Sequence, residues 1–251
     1  MTFQMWSLFH YLFIISPFIL SVILFIVFRN KSYEEKRKIG IILSVIAIIV
    51  LLLRNIEILV KNNYIPNAEL IPLQICHFAN FVLLFAFLKD NKVFFSLAFC
   101  LNLPAAMMSI VFANSLENYS TLISFRAMAY LWGHMLIVAI TLWAVASGFV
   151  KITKQTLIKT MGLMVILYLF ALIVNNVFNV LFGFSANYFY TLSPEKGTPL
   201  ELFFNLGKTF NIGWFKINPL YMLLTSFLGA LVVFGFYGLY KAVEPKITAL
   251  Q

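Results

Sequence analysis

Charge is scarce in this chain. Only 11% of its 251 residues are Asp, Glu, Lys or Arg, and the acidic residues number nine. A soluble domain of this length carries far more charged side chain, so a water-soluble globule is excluded. Cysteine is scarcer still. Cys76 and Cys100 both lie inside apolar runs, which leaves no disulfide framework and no metal-ligand spacing. There is no Gly-rich phosphate loop, no internal repeat and no low-complexity segment. No metal or other cofactor is expected. No Lys or Arg precedes the first apolar run, which exceeds the core of a signal peptide and is followed by no small-residue cleavage pattern. It is expected to stay as a membrane span.

What the chain has is apolar surface: 62% hydrophobic residues, 28 of them Phe. About 20 apolar residues cross a bilayer core. On that basis the sequence predicts an all-α polytopic bundle of about seven spans, near 8–28, 39–60, 70–88, 92–113, 127–150, 157–182 and 219–241. The third is short and the fourth is interrupted by Asn102 and Pro104, so six spans plus a re-entrant piece is an alternative. With seven spans, one face receives twelve Lys and Arg in its loops and the other five. Basic loops stay cytoplasmic, which puts the amino terminus outside and the carboxyl terminus in the cytoplasm of a multi-pass cell-membrane protein. The net charge of +9 is dispersed through short loops. It suits anionic lipid heads, so the expected partners are membrane lipids and not nucleic acid. Residues 1–251 form a single transmembrane domain with one long exterior loop, about 183–218. That loop is rich in Phe and Tyr and contains Trp214, a composition suited to the membrane interface and to covering a pocket. Nothing in the sequence sets an oligomeric state.

Against this apolar background a few polar residues share one depth. At 1.5 Å rise per residue, Cys76 falls roughly 9–10 Å and His134 roughly 10–11 Å below the outer ends of their spans. Arg54 and Glu57 fall roughly 5–9 Å, and Asn175, Asn176 and Asn179 roughly 5–11 Å, below the same edge. Ionisable residues in hydrocarbon are costly and mark functional sites by default. Arg54 and Glu57, three apart, share a face and are expected to pair, with Glu57 also reaching Lys61. Cys76 and Asn80 share a face, while His77 points about 100° away from Cys76. A thiol and an imidazole meeting across two helices, Cys76 with His134, is the better geometry. Each element also has a plain structural reading: a packing cysteine, a hydrogen-bonded histidine, interhelical amide adhesive worth about 1 kcal/mol each, a snorkelling ion pair.

The run Glu69-Leu-Ile-Pro-Leu-Gln-Ile-Cys76-His-Phe at the start of the third span resembles the Leu-Pro-Leu-His-Leu-Cys signature of the YwaF-type integral membrane proteins. That family includes the eukaryotic transmembrane protein 164. The acidic Glu57 near the end of the preceding span, His134 in the fifth span, and the Asn175–Asn179 stretch followed by Asn187-Tyr-Phe-Tyr190 and Pro194 fit the same pattern. Gln74 stands where the family has His, with His77 after the cysteine instead. The resemblance implies acyl transfer between membrane phospholipids and lysophospholipids, with Cys76 as nucleophile.

Three functional readings follow. In the first, His134 takes the thiol proton and returns it to the leaving alcohol, and Asn176 or Asn80 stabilises the oxyanion. Arg54 then holds a phosphate, with Glu57 orienting Arg54 or a histidine such as His77. The product is a transferred or hydrolysed acyl group. In the second, Asn102-Leu-Pro104 is the helix break of a small-molecule transporter or binding protein. In the third, the polar layer only fixes helix order.

Overall fold

The computed structural model describes residues 3–119, 121–195 and 197–248. Ser7 caps the first helix, α1 (Leu8–Phe28), by accepting from His10 N. A capping box between Ser32 and Glu35 starts α2 (Tyr33–Lys61) at the opposite face. A 3-10 turn at Ala68–Leu70 then leads into α3 (Ile75–Lys89), whose apolar first turn has only Gln74 before it and no side-chain cap. The fourth crossing comprises α4 (Lys92–Leu97), a π-turn at Ala98–Asn102, and α5 (Leu103–Val111). It is followed by α6 (Phe125–Ala146), capped by Ser124, and α7 (Lys154–Phe182), capped by Thr153 and stopped by Gly183 at φ +63°. After the short α8 (Leu200–Leu206) comes a hairpin of β1 (Phe210–Ile212) and β2 (Phe215–Ile217). The last helix is α9 (Pro219–Thr248).

Seven helical segments among the described residues are long and apolar enough to cross a membrane, and the architecture is the all-α polytopic bundle the sequence predicts. Two local expectations change. Asn102 and Pro104 do not interrupt the fourth crossing. The extra residue of the π-turn absorbs the hydrogen bond that Pro104 cannot donate, and the chain stays helical throughout. No unwound backbone of the transporter kind is left there. The long loop also contains a two-stranded hairpin, turned at Gly213 with φ +60°.

α6 is the centre of the bundle, packed on α1, α2, α3 and α5. Its lower half and the π-turn region are the most enclosed, around Trp143, Phe87, Phe95 and Phe149. Gly40 on α2 sits against the Phe87 ring of α3, and a Cβ there would fall on ring carbons. The close α2–α3 contact therefore depends on that glycine. The ends of α2, α5 and α7 and the starts of α1, α3, α6 and α9 share one side of the bundle, here the N-face. All the residues discussed next lie on or just below it.

Candidate functional site

Cys76 is the second residue of α3. Among the described residues, none of the backbone N–H groups of Ile75, Cys76 and His77 donates to a backbone or side-chain acceptor; the first such bond is Phe78 N to Gln74 O at 2.8 Å. These are the orphan donors of a helix start. The thiol lies 3.8 Å from Ser109 Oγ on α5. Across the α3–α6 contact its other polar neighbour is the His134 imidazole, which lies within electrostatic range of the thiol.

The tautomer of His134 follows from its second contact. Nδ1 is 2.6 Å from the carbonyl oxygen of Tyr130, one turn earlier. A carbonyl only accepts, so Nδ1 carries a proton, and in the neutral imidazole Nε2 keeps its lone pair. Tyr130 supports this arrangement twice. Its ring packs against the imidazole at 4.4 Å between centroids, and its hydroxyl donates to Ser109 O at 2.7 Å. One tyrosine thus holds both neighbours of the thiol in place. Ser109 and Tyr130 were not singled out from the sequence, although Tyr130 stands four residues before His134 and so on its face.

The other expected residues are placed differently. Arg54 does not pair with Glu57. It is buried, and it donates to Glu69 Oε2 at 3.0 Å, Glu69 O at 3.0 Å and Asn55 Oδ1 at 2.9 Å. Glu57 instead contacts Lys61 and accepts from Arg126 N at 3.0 Å, in the first turn of α6. The cause is local. The 3-10 turn presents both a carboxylate and a carbonyl to Arg54, while the N-terminus of α6 offers Glu57 a positive end. Arg126 closes the set, donating from Nη2 to both Glu69 oxygens at 3.0 and 2.8 Å. Glu69, shared between two guanidiniums, is the hub that sequence reasoning missed. Its signal was an acidic residue just before a span.

The amides are committed elsewhere. Asn175 donates to Tyr188 O at 2.9 Å and Thr191 Oγ1 at 2.8 Å, and accepts from Tyr188 N at 2.8 Å. Asn176 donates to Lys216 O at 3.1 Å and accepts from Lys216 N at 2.6 Å, and Asn179 makes the same two-way contact with Ala186. Each mimics a strand neighbour for a piece of loop backbone, so Asn176 is not free to serve an oxyanion. Asn80 is similarly turned. Its Nδ2 reaches Cys76 O at 3.5 Å, and its Oδ1 is buried with no partner among the described residues. His77 lies within electrostatic range of Arg54 and His134, and its Nδ1 is also buried without a described partner.

The pinned loop covers the start of α3. Tyr188 donates to Ala68 O at 2.7 Å, and Phe189 meets Phe78 edge-on at 6.1 Å. Tyr190 lies within electrostatic range of Cys76 and Tyr130. Burial and the Glu195 carboxylate raise its phenol above the ordinary tyrosine range. Phe189 and Tyr190 both have φ +54°, a left-handed conformation costly for aromatic residues. An apolar groove of 310 Å³ runs between α7 and α9, lined by Val165, Tyr168 and Met222 among others, and is separate from the thiol. Among the described residues no group of three or more His, Cys, Asp or Glu is arranged to hold a metal.

The TMEM164 family model matches residues 5–237, nearly the whole chain. The chain belongs to the TMEM164 family. No curated protein and no solved structure matches it. Family membership and the seven apolar helices together make this a multi-pass membrane protein. In this TMEM164 family member the thiol, the imidazole and the Glu69 hub all fall inside the matched region.

Proposed function

We propose that this protein is a membrane-embedded acyltransferase or hydrolase acting on the acyl esters of phospholipids in the cell membrane, with Cys76 as nucleophile and His134 as base. A single observation carries the reading: the Tyr130 carbonyl fixes the proton of His134 on Nδ1, which leaves an unprotonated nitrogen for the neighbouring thiol.

The steps are as follows. The Cys76 proton passes to His134 Nε2 as sulfur bonds to the ester carbonyl carbon, and the carbonyl π pair moves onto oxygen. The unpartnered N–H groups at the start of α3 are the donors this reading assigns to that oxyanion. When the pair returns, the carbon–oxygen bond to the glycerol breaks, and the departing alkoxide takes the proton from His134. The acyl thioester on Cys76 is then attacked by a hydroxyl, from a lysophospholipid or from water, whose proton passes to His134; as the tetrahedral intermediate collapses the carbon–sulfur bond breaks and the thiolate takes that proton back. Transfer or hydrolysis is the outcome according to which hydroxyl arrives. The depth supports this, since ester carbonyls lie beneath the lipid headgroups and Cys76 neighbours His134, roughly 12 Å down α6 from Arg126.

The test is labelling. Full-length protein in lipid nanodiscs is treated with a lipid-soluble thiol-reactive acyl probe, and the labelled cysteine is identified by mass spectrometry. Cys76 is expected to be modified and Cys100 not, and His134→Gln is expected to slow labelling about a hundredfold or more. Equal labelling of both cysteines, indifferent to His134, would leave Cys76 as a packing residue.

A further inference from the structure

The Glu69 hub is unbalanced. Two guanidiniums, Arg54 and Arg126, converge on one carboxylate, while the nearby Glu57 is matched by Lys61. Within this cluster of five side chains one positive charge is left over. It is not available on Arg54, which is buried and whose Nη1 and Nη2 are engaged by Asn55 and Glu69. Arg126 differs. Only its Nη2 donates to Glu69; its Nε is buried with no partner among the described residues, and its face packs on Tyr119 at 5.5 Å. A guanidinium held by one corner and one face, with a further N–H unmet, is a preorganised receptor for an oxyanion. The Nδ1 of His77, which lies within electrostatic range of Arg54, is a second buried polar atom without a partner among the described residues.

We infer that Arg126, held by Glu69 and Tyr119, is the anchor for a phosphate group at the N-face, with Arg54 as the positioning residue that fixes Glu69. The geometry relates this anchor to the thiol. Arg126 lies eight residues before His134 on α6, roughly 12 Å above it along the axis, and Glu69 lies in the turn leading to Cys76. A phosphate at the anchor leaves the glycerol esters of the same lipid directed down α3 and α6 towards Cys76. That last step rests on the acyl-transfer reading, whereas the phosphate site does not. Its ligand class is a phosphate mono- or diester, carried by a lipid headgroup or free in solution.

Binding decides it. Full-length protein in detergent micelles is titrated calorimetrically with three probes: dihexanoylphosphatidylcholine, dihexanoylglycerol (the same esters without phosphate), and inorganic phosphate. A phosphate-bearing probe is expected to bind wild type about tenfold or more tighter than dihexanoylglycerol, the size of one charge-assisted hydrogen bond. Arg126→Gln is expected to remove that advantage, and Lys208→Gln, an exposed cation of the same face outside the cluster, to leave it intact. If the phospholipid binds more tightly than inorganic phosphate, the site belongs to a headgroup; equal or tighter inorganic phosphate assigns it to free phosphate. Both support the anchor. Wild-type protein that binds every phosphate-bearing probe no better than dihexanoylglycerol overturns it without any variant being needed, and so does an advantage untouched by Arg126→Gln. The two proposals fail separately. Arg126-dependent binding without a thioester at Cys76 removes the enzyme and keeps the site. Thioester formation indifferent to phosphate and to Arg126 does the reverse.

Discussion

The Glu69 hub sets an order of stabilities among its own variants. Arg54 shows 8% of its side chain, Glu69 36% and Arg126 42%. Removing one partner of a fully buried ion pair costs about 3–5 kcal/mol, because the other charge is left in a poor dielectric. Glu69→Gln does this only in part. Arg54 keeps the backbone oxygen of residue 69 and the Asn55 amide, and the exposed third of residue 69 admits water. The expected loss is therefore about 2 kcal/mol, below the fully buried range but well above that of a surface pair. Arg126→Gln removes a cation that is nearly half exposed, so its cost should stay within about 1 kcal/mol. Arg54→Met should fall between the two, since it removes the buried charge along with its bonds and leaves Glu69 to Arg126. Reversible unfolding in mixed micelles, followed by tryptophan fluorescence, measures all three. If Arg126→Gln proves as costly as Glu69→Gln, the burial asymmetry is not what organises the hub.

Two further outcomes follow from the packing. Asn175→Ala removes three hydrogen bonds from a fully buried position and strands the Tyr188 backbone, so it should cost about 2–3 kcal/mol and expose residues 184–195 to limited proteolysis. Wild-type protease resistance of that segment in the variant would mean the amide does not hold the loop. Gly40→Ala drives a methyl into the Phe87 ring and should lower stability by about 1–3 kcal/mol, with recovery in the double variant Gly40→Ala, Phe87→Leu; additive losses in that pair would place the strain elsewhere.

The fold was legible because lipid leaves so few alternatives. Backbone buried in hydrocarbon must satisfy itself, so runs of about 20 apolar residues become spanning helices, and their limits were found to within a few residues except where a helix extends into water. α2 begins six residues before its predicted span, since the charged stretch from Tyr33 to Lys38 is polar yet helical and capped by Ser32. Helical periodicity also showed that Cys76 and His77 face apart. Pairing was the illegible part. A helix face says which residues can meet; it does not say which will. Arg54 and Glu57 share a face, but each found a better partner on another element: a carbonyl and carboxylate on the 68–70 turn for one, a helix start for the other. The asparagines of α7 were correctly read as polar outliers in an apolar helix. Their task depended on loop backbone folding back between 184 and 217, for which the sequence carries no periodic signal.

The two cysteines show how much environment decides. Both are thiols inside spanning helices, and composition cannot separate them. Cys100 sits in the π-turn with no exposed surface, and its polar neighbour is Ser96, which has no basic atom to offer. Nothing there can take its proton, and no substrate can reach it. Cys76 has an imidazole whose tautomer is fixed, a hydroxyl at 3.8 Å, and helix-start N–H groups without acceptors. The imidazole and the N–H groups favour a negative sulfur or a negative oxygen beside them and come from different parts of the chain, α6 and the start of α3, whereas the Ser109 hydroxyl gives its proton to Ala105 O. Packing alone does not require the first two to converge. A bundle whose only need was to fill the space at residue 76 would be served as well by alanine.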